Sequence, residues 1–280
     1  MIELVPSRSE REKRARNARR VTALSFAIAI AFASGQLDAQ IAVGNSVEEH
    51  TASPGDNYLG TIQVRNLTTE PQPVRIYQTD YTFFADGTSH FDPVGSAQRS
   101  NAKWITPATS SIIVPPLGEM TVGYTVRVPL GDSLAGTYWS MIMLEGALNG
   151  GVPKGKGQLA IGSIMRYAVQ IATHVGVSGS RKILFSKQSV FATPDGSHSL
   201  ELEVTNVGER GYRPLLWIEL YDDKGKFQTK SQQQRGLLYP GTSVMQRFDL
   251  GKISAGNYKA VVFADTGDDA VFAAQYRLHF

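Results

Sequence analysis

The chain has 280 residues, no cysteine and a formal net charge of +3. Without cysteine, neither disulfide staples nor thiolate metal sites are available, so its domains must be held by apolar cores alone. The positive charge does not point to nucleic acid. Residues 1–39 carry seven Lys/Arg against four Asp/Glu, so they account for the whole excess, and no basic stripe with interleaved aromatics follows.

That first segment reads as an export signal. Arg8, Arg11, Lys13, Arg14, Arg16, Arg19 and Arg20 precede the apolar run "VTALSFAIAIAFASG", and small or polar residues follow, with Ala39 the expected last residue before cleavage. The run is too short to cross a bilayer comfortably, for which about twenty residues are needed. The expected mature chain starts at Gln40, has no membrane span and is long enough for two domains.

From residue 40 onward the sequence predicts strands. In chain order, "YLGTIQVRN", "PVRIYQTDYTFF", "SSIIVPP", "MTVGYTVRVP", "GTYWSMIMLEG" and "QLAIGSIMRYAVQIAT" alternate apolar and polar residues between turn signals. The second half continues with "SLELEVTNVG", "PLLWIELYDDKGKF", "LLYPGTSVMQRFDL", "GNYKAVVFADTG" and "AVFAAQYRLHF". Asp86-Gly87, Asp195-Gly196 and Lys224-Gly225 supply the positive backbone angles of tight hairpins. No helix longer than about a turn is expected.

Three anchors recur in the same order in both halves: Val64-x-Asn66 with Val204-x-Asn206, Pro116-x-Gly118 with Pro240-Gly241, and "AGTY" with "AGNY". Their offset shrinks along the chain, which places an insertion of about twenty residues in the first half, between Asp86-Gly87 and "WITP". The expected fold is all-β: two tandem immunoglobulin-like sandwiches, over 40–175 and 176–280, after a signal peptide over 1–39. "VxN" would end one strand and open the turn to the next. Tyr138 and Tyr258 would serve as corner tyrosines that return their hydroxyls to backbone.

The first half, through "SPGDNYLGTIQVRN", "WITPATSSIIVPPLGEMTVGYTVRV" and "QLAIGSIMRYAVQI", resembles the PapD-like periplasmic pilus chaperones over residues 41–175. The second half resembles that family's second domain loosely. It is also similar to the paired domains of Gram-positive wall proteins that bind peptidoglycan. The chaperone resemblance implies that the last strand of the first domain is donated to a strand-deficient fimbrial or surface subunit, with an outer-membrane usher as a further partner. Leu159, Ile161, Met165, Tyr167, Val169 and Ile171 share one face of that strand, broken by Ser163, after the Gly-rich "GALNGGVPKGKG". Leu159, Ile161 and Met165 are the apolar residues expected to meet a partner, and the residues beyond them turn at least partly to their own core. The family also clamps a terminal carboxylate with two basic residues. Arg166 stands at one of these places, whereas the first strand, "IAVGNSVEEH", has no Lys or Arg for the other.

Catalytic and cofactor patterns are absent from the sequence. "GGVPKGKG" has Gly150, Gly155 and Lys156 at phosphate-loop spacing but Gly157 where Ser or Thr should hold magnesium. The five histidines are scattered, no GxSxG occurs, and "ADTGDDA" lacks the distal Glu of a tight calcium loop. No enzyme, metal or cofactor is expected. Two readings remain: an exported, periplasmic chaperone-like protein that binds subunits by strand donation, or an envelope module, periplasmic or at the cell surface, that recognises peptidoglycan or a surface protein. The second is weakened because "QYRLHF" ends the chain without a span or wall-sorting segment.

Overall fold

The computed structural model describes residues 40–147, 163–267 and 270–280. Residues 1–39, where a signal segment is expected, and residues 148–162, which include most of the Gly-rich stretch, Leu159 and Ile161, lie outside the described residues. Among those described, the one helical piece is a 3-10 turn at Ala102–Trp104, and no helix is long and apolar enough to cross a membrane. Everything else regular is strand.

The first sandwich comprises β1 (Ile41–Val43), β2 (Val47–Ala52), β3 (Asn57–Asn66), β4 (Gln72–Phe83), β5 (Ser89–Asp92), β6 (Ile105–Pro107), β7 (Ser111–Val114), β8 (Glu119–Arg127), β9 (Gly136–Gly146) and β10 (Arg166–Val175). One sheet runs β1-β3-β8-β6, and the other runs β2-β10-β9-β4-β5 with β7 also on β4. Period-two alternation puts Ile62, Val64, Val122 and Val126 of one sheet against Val74, Ile76, Ile142, Leu144, Val169 and Ile171 of the other. The predicted first strand is in fact two. Ile41 is buried in the core beside β3, and after "GNS" the chain changes sheets and pairs in parallel with β10.

The second sandwich comprises β11 (Ile183–Ala192), β12 (Ser197–Asn206), β13 (Leu215–Asp222), β14 (Phe227–Gln234), β15 (Ser243–Lys252), β16 (Asn257–Asp265) and β17 (Val271–His279). Its sheets are β11-β12-β15 and β14-β13-β16-β17, closed over Leu200, Leu202, Leu216, Ile218, Leu220, Phe248 and Val262. Two of these strands were not predicted. β11 carries a bulge at Lys187, whose φ is 49°, so its alternation is broken. β14, "FQTKSQQQ", is an edge strand with almost no apolar residue to mark it.

The repeated phrase has a structural cause. Asn66 ends β3 and Asn206 ends β12, and both side chains are buried. Asn66 Nδ2 donates to the carbonyls of Glu70 (2.8 Å), Val114 (3.1 Å) and Pro115 (3.0 Å), and its Oδ1 accepts from Thr68 N–H (2.8 Å). Asn206 repeats the pattern with the carbonyls of Arg210 (2.8 Å) and Leu238 (3.0 Å) and with Gly208 N–H (2.9 Å). Each Asn ties its own turn to a Pro-containing loop of the same sandwich.

The two expected corner tyrosines differ. Tyr258 OH donates to Ser254 O at 2.9 Å, as expected. Tyr138 has no such bond among the described residues: its ring packs against Trp104 of "WITP" (centroids 4.7 Å apart) and under the Arg99 guanidinium (5.4 Å). Asn101, in the stretch between Asp86-Gly87 and "WITP", donates to Ile171 O at 3.0 Å.

An apolar junction joins the sandwiches. Trp139 stacks on Tyr239 with centroids 4.6 Å apart and an 8° interplanar angle, flanked by Ala172, Leu237 and Phe83. Beside it, Gly136 of "AGTY" has φ of 78°, and a Cβ there would lie 2.0 Å from Glu209 O, so only glycine fits.

Candidate functional site: an open strand edge

β10 pairs with β9 along its whole length, from Arg166 opposite Glu145 to Val175 opposite Gly136. On its other side β2 pairs only with Gln170–Val175. Arg166–Val169 therefore form a sheet edge with no strand partner among the described residues. The direction of their backbone groups follows from Gln170, whose N–H turns outward to Ser46 O at 2.9 Å. Alternate residues of an antiparallel strand direct their backbone groups to the same side, so Arg166 and Ala168 also turn N–H and C=O outward. That edge can accept another strand.

Side chains along the edge divide by position. Val169 and Ile171 are buried in the first core. Tyr167 is half-buried, and its hydroxyl donates to Ile41 O at 2.5 Å, which fastens β10 to β1 of the facing sheet. Ile164 and Met165 are 45% and 38% exposed. Of the residues expected to meet a partner, Met165 and Arg166 are thus adjacent at the open edge, and Leu159 and Ile161 are outside the described residues.

Arg166 is not an isolated charge. Its Nε donates to Glu145 Oε2 at 2.6 Å, and Tyr77 OH donates to the same oxygen at 3.2 Å. Arg75 lies 3.7 Å from the other Glu145 oxygen. The Arg166 guanidinium, bonded to Glu145, holds that carboxyl below the usual range, while burial and Glu145 push the Tyr77 hydroxyl up. This exposed cluster is screened by solvent and fixes orientation more than stability.

Sequence reasoning missed a second polar network, where the sheet meets the second sandwich. His174 Nδ1 is 2.8 Å from Thr137 Oγ1, and its Nε2 is 3.2 Å from Glu49 Oε2. Glu49 Oε1 accepts from Arg213, and Gly211 N–H donates to Thr137 Oγ1 at 2.8 Å. Nothing in the sequence marks these positions, because Glu49, Thr137 and His174 meet through the β2–β10 and β9–β10 registers and Gly211 and Arg213 reach them from the second sandwich. No group of three or more His, Asp or Glu able to hold a metal occurs among the described residues.

No family model matches the chain, and no curated protein matches it. Solved structures do. A chain of a chaperone–tip adhesin complex of CFA/I fimbriae biogenesis is 11% identical, over 85% of this chain and 98% of that one, with a TM-score of 0.45. A chain from the Salmonella enterica SafA pilin–SafB chaperone complex is 12% identical over 88% and 99%, with a TM-score of 0.41. The E. coli chaperone DraB is 13% identical over 86% and 98%, with a TM-score of 0.40.

Proposed function

We propose that the chain is an exported, chaperone-like protein that binds strand-deficient fimbrial or surface subunits by β-strand donation in the periplasm. The observation that carries this reading is the unpartnered edge at Arg166–Val169, with exposed Ile164 and Met165 immediately before it. An edge of this kind invites uncontrolled pairing unless it has an intended partner. Leu159 and Ile161 extend the apolar series into the donated segment, and a subunit groove buries them at roughly 1.5–3 kcal/mol each. Residues 1–39 are removed on export, and the two functional domains divide at 175/176. The role of the protein is binding, not catalysis.

Co-purification with candidate secreted subunits tests the reading. Leu159→Thr/Ile161→Thr keeps strand propensity, so the variant should stay folded and lose its subunit. Val169→Thr/Ile171→Thr, by contrast, should lower the melting temperature, because those side chains fill the first core. Unchanged co-purification by a folded Leu159→Thr/Ile161→Thr variant refutes strand donation and favours an envelope-binding module. Mass spectrometry of the exported protein should place the mature start at or near Gln40.

A further inference from the structure

The larger sheet of the second sandwich ends on β17, and its backbone shows which way that edge faces. Phe280 N–H donates to Gly256 O at 3.1 Å, and Phe280 O accepts from Gly256 N–H at 3.0 Å, so Phe280 turns toward the β16 side. Residues alternate in direction along an antiparallel strand. Val271, Ala273, Gln275, Arg277 and His279 therefore turn N–H and C=O outward, where no strand meets them among the described residues. The other edges of this sandwich are guarded. β11 carries the bulge at Lys187, β14 carries Lys230 and a register shift opposite Leu220 and Tyr221, and Gln246 of β15 is met by Gln233 of β14, Nε2 to Oε1 at 2.9 Å. β17 has none of these devices. It pairs with β16 over nine residues without a shift, and "VFAAQYRLH" contains no Lys, Pro or Gly.

We propose that β17 is a dimerisation edge, occupied by β17 of a second copy of this chain running antiparallel about a two-fold axis at Gln275. In that register all five outward residues pair, Val271 with His279, Ala273 with Arg277 and Gln275 with its own copy, which gives about ten backbone bonds. Any other register leaves some of them unpaired. The side chains favour the same alignment. On the outer face of the sheet Trp217 stacks on one side of the Phe263 ring, with centroids 4.8 Å apart and an angle of 12°, and Lys230 lies over Trp217 at 5.3 Å. On the β17 side of that ring the register sets the small, exposed Ala273. Arg277 of the second copy stands directly across from Ala273 and brings a cation to the Phe263 ring from that side. Each Arg277 thus faces a methyl group and not its own like charge. Two four-stranded sheets become one continuous sheet through an isologous contact. The inference does not depend on strand donation at β10.

Sedimentation velocity tests this on the protein purified from cells expressing the full chain, which should form a dimer that dissociates on dilution. Gln275→Pro removes an outward N–H and costs β17 no bond to β16, so it should yield a monomer while leaving the melting temperature of the dilute protein unchanged. Two substitutions at the exposed Ala273 test the register. Ala273→Lys sets like charges across the axis from Arg277 of the second copy and should weaken the dimer at least tenfold, whereas Ala273→Glu should tighten it. Adding Arg277→Glu to Ala273→Glu should weaken the dimer again, because two carboxylates then face each other. Ala168→Pro, on the open edge of the first sandwich, should leave the dimer intact. A protein that stays monomeric at millimolar concentration, a dimer of unchanged affinity in Gln275→Pro, or one lost in Ala168→Pro instead would overturn the proposal. So would equal effects of Ala273→Lys and Ala273→Glu.

Discussion

Replacing Asn66 by alanine removes the bonds that close the first sandwich's β3–β4 turn. The side chain has two N–H hydrogens shared among three carbonyls, and one oxygen that accepts from Thr68 N–H. That amounts to three net bonds, each worth roughly 0.5–1.5 kcal/mol, so Asn66→Ala should cost about 3 kcal/mol. Asn206 makes three corresponding bonds in the second sandwich, so Asn206→Ala should cost about the same, roughly 3 kcal/mol. Asn66→Asp is the sharper perturbation. It keeps the shape but sets a carboxylate against three carbonyl oxygens, so it should destabilise more than alanine, and lowering the pH should narrow the gap as a donor is restored. Urea unfolding followed by circular dichroism and tryptophan fluorescence gives these differences from the midpoints. A loss below about 1 kcal/mol for Asn66→Ala, or an aspartate variant more stable than the alanine one, would refute the account of the repeated motif.

Two further predictions concern the junction. The hydrogen bond from His174 and the charge of Arg213 hold the Glu49 carboxyl below its usual range against the opposing effect of burial. A lowered folded-state value means that ionised Glu49 stabilises the fold above its unfolded pKa, about 4.3, and that this contribution disappears as pH falls through the folded value. The stability difference between the native protein and Glu49→Gln, read from urea midpoints between pH 7 and pH 3, should therefore shrink in acid; a constant difference would contradict the pairing. Trp139→Ala removes the ring stacked on Tyr239 and should cost about 3–5 kcal/mol. Because that ring joins the two sandwiches, calorimetry of the variant should resolve two unfolding transitions in place of a coupled one.

Most strands were legible because one face of each is buried, which writes a period of two into the sequence. β9, "GTYWSMIMLEG", is read with both its ends correct. The failures occur where burial does not impose that period. β14 lies at an edge and carries glutamines, and the bulge at Lys187 shifts the register of β11. Tyr138 and Tyr258 follow the same "AG" pair and are indistinguishable in sequence, yet Trp104 and Arg99 meet only the first of them. At the site, the face of β10 could be read from alternation. The open edge could not, because it depends on where β2 begins to pair.

The parallel pairing of β2 with β10 sets a limit on any strand added there. From Gln170 onward the outward backbone groups of β10 are already occupied by β2, beginning with the bond to Ser46. A guest strand sliding toward the second sandwich would have to peel β2 away, one ladder bond at a time. Along Arg166–Val169 no strand among the described residues opposes it. Strand register, which is free to slip along most exposed edges, is thus given a hard stop on one side by the host alone. Guests of unrelated sequence would then be seated with one end at a common position.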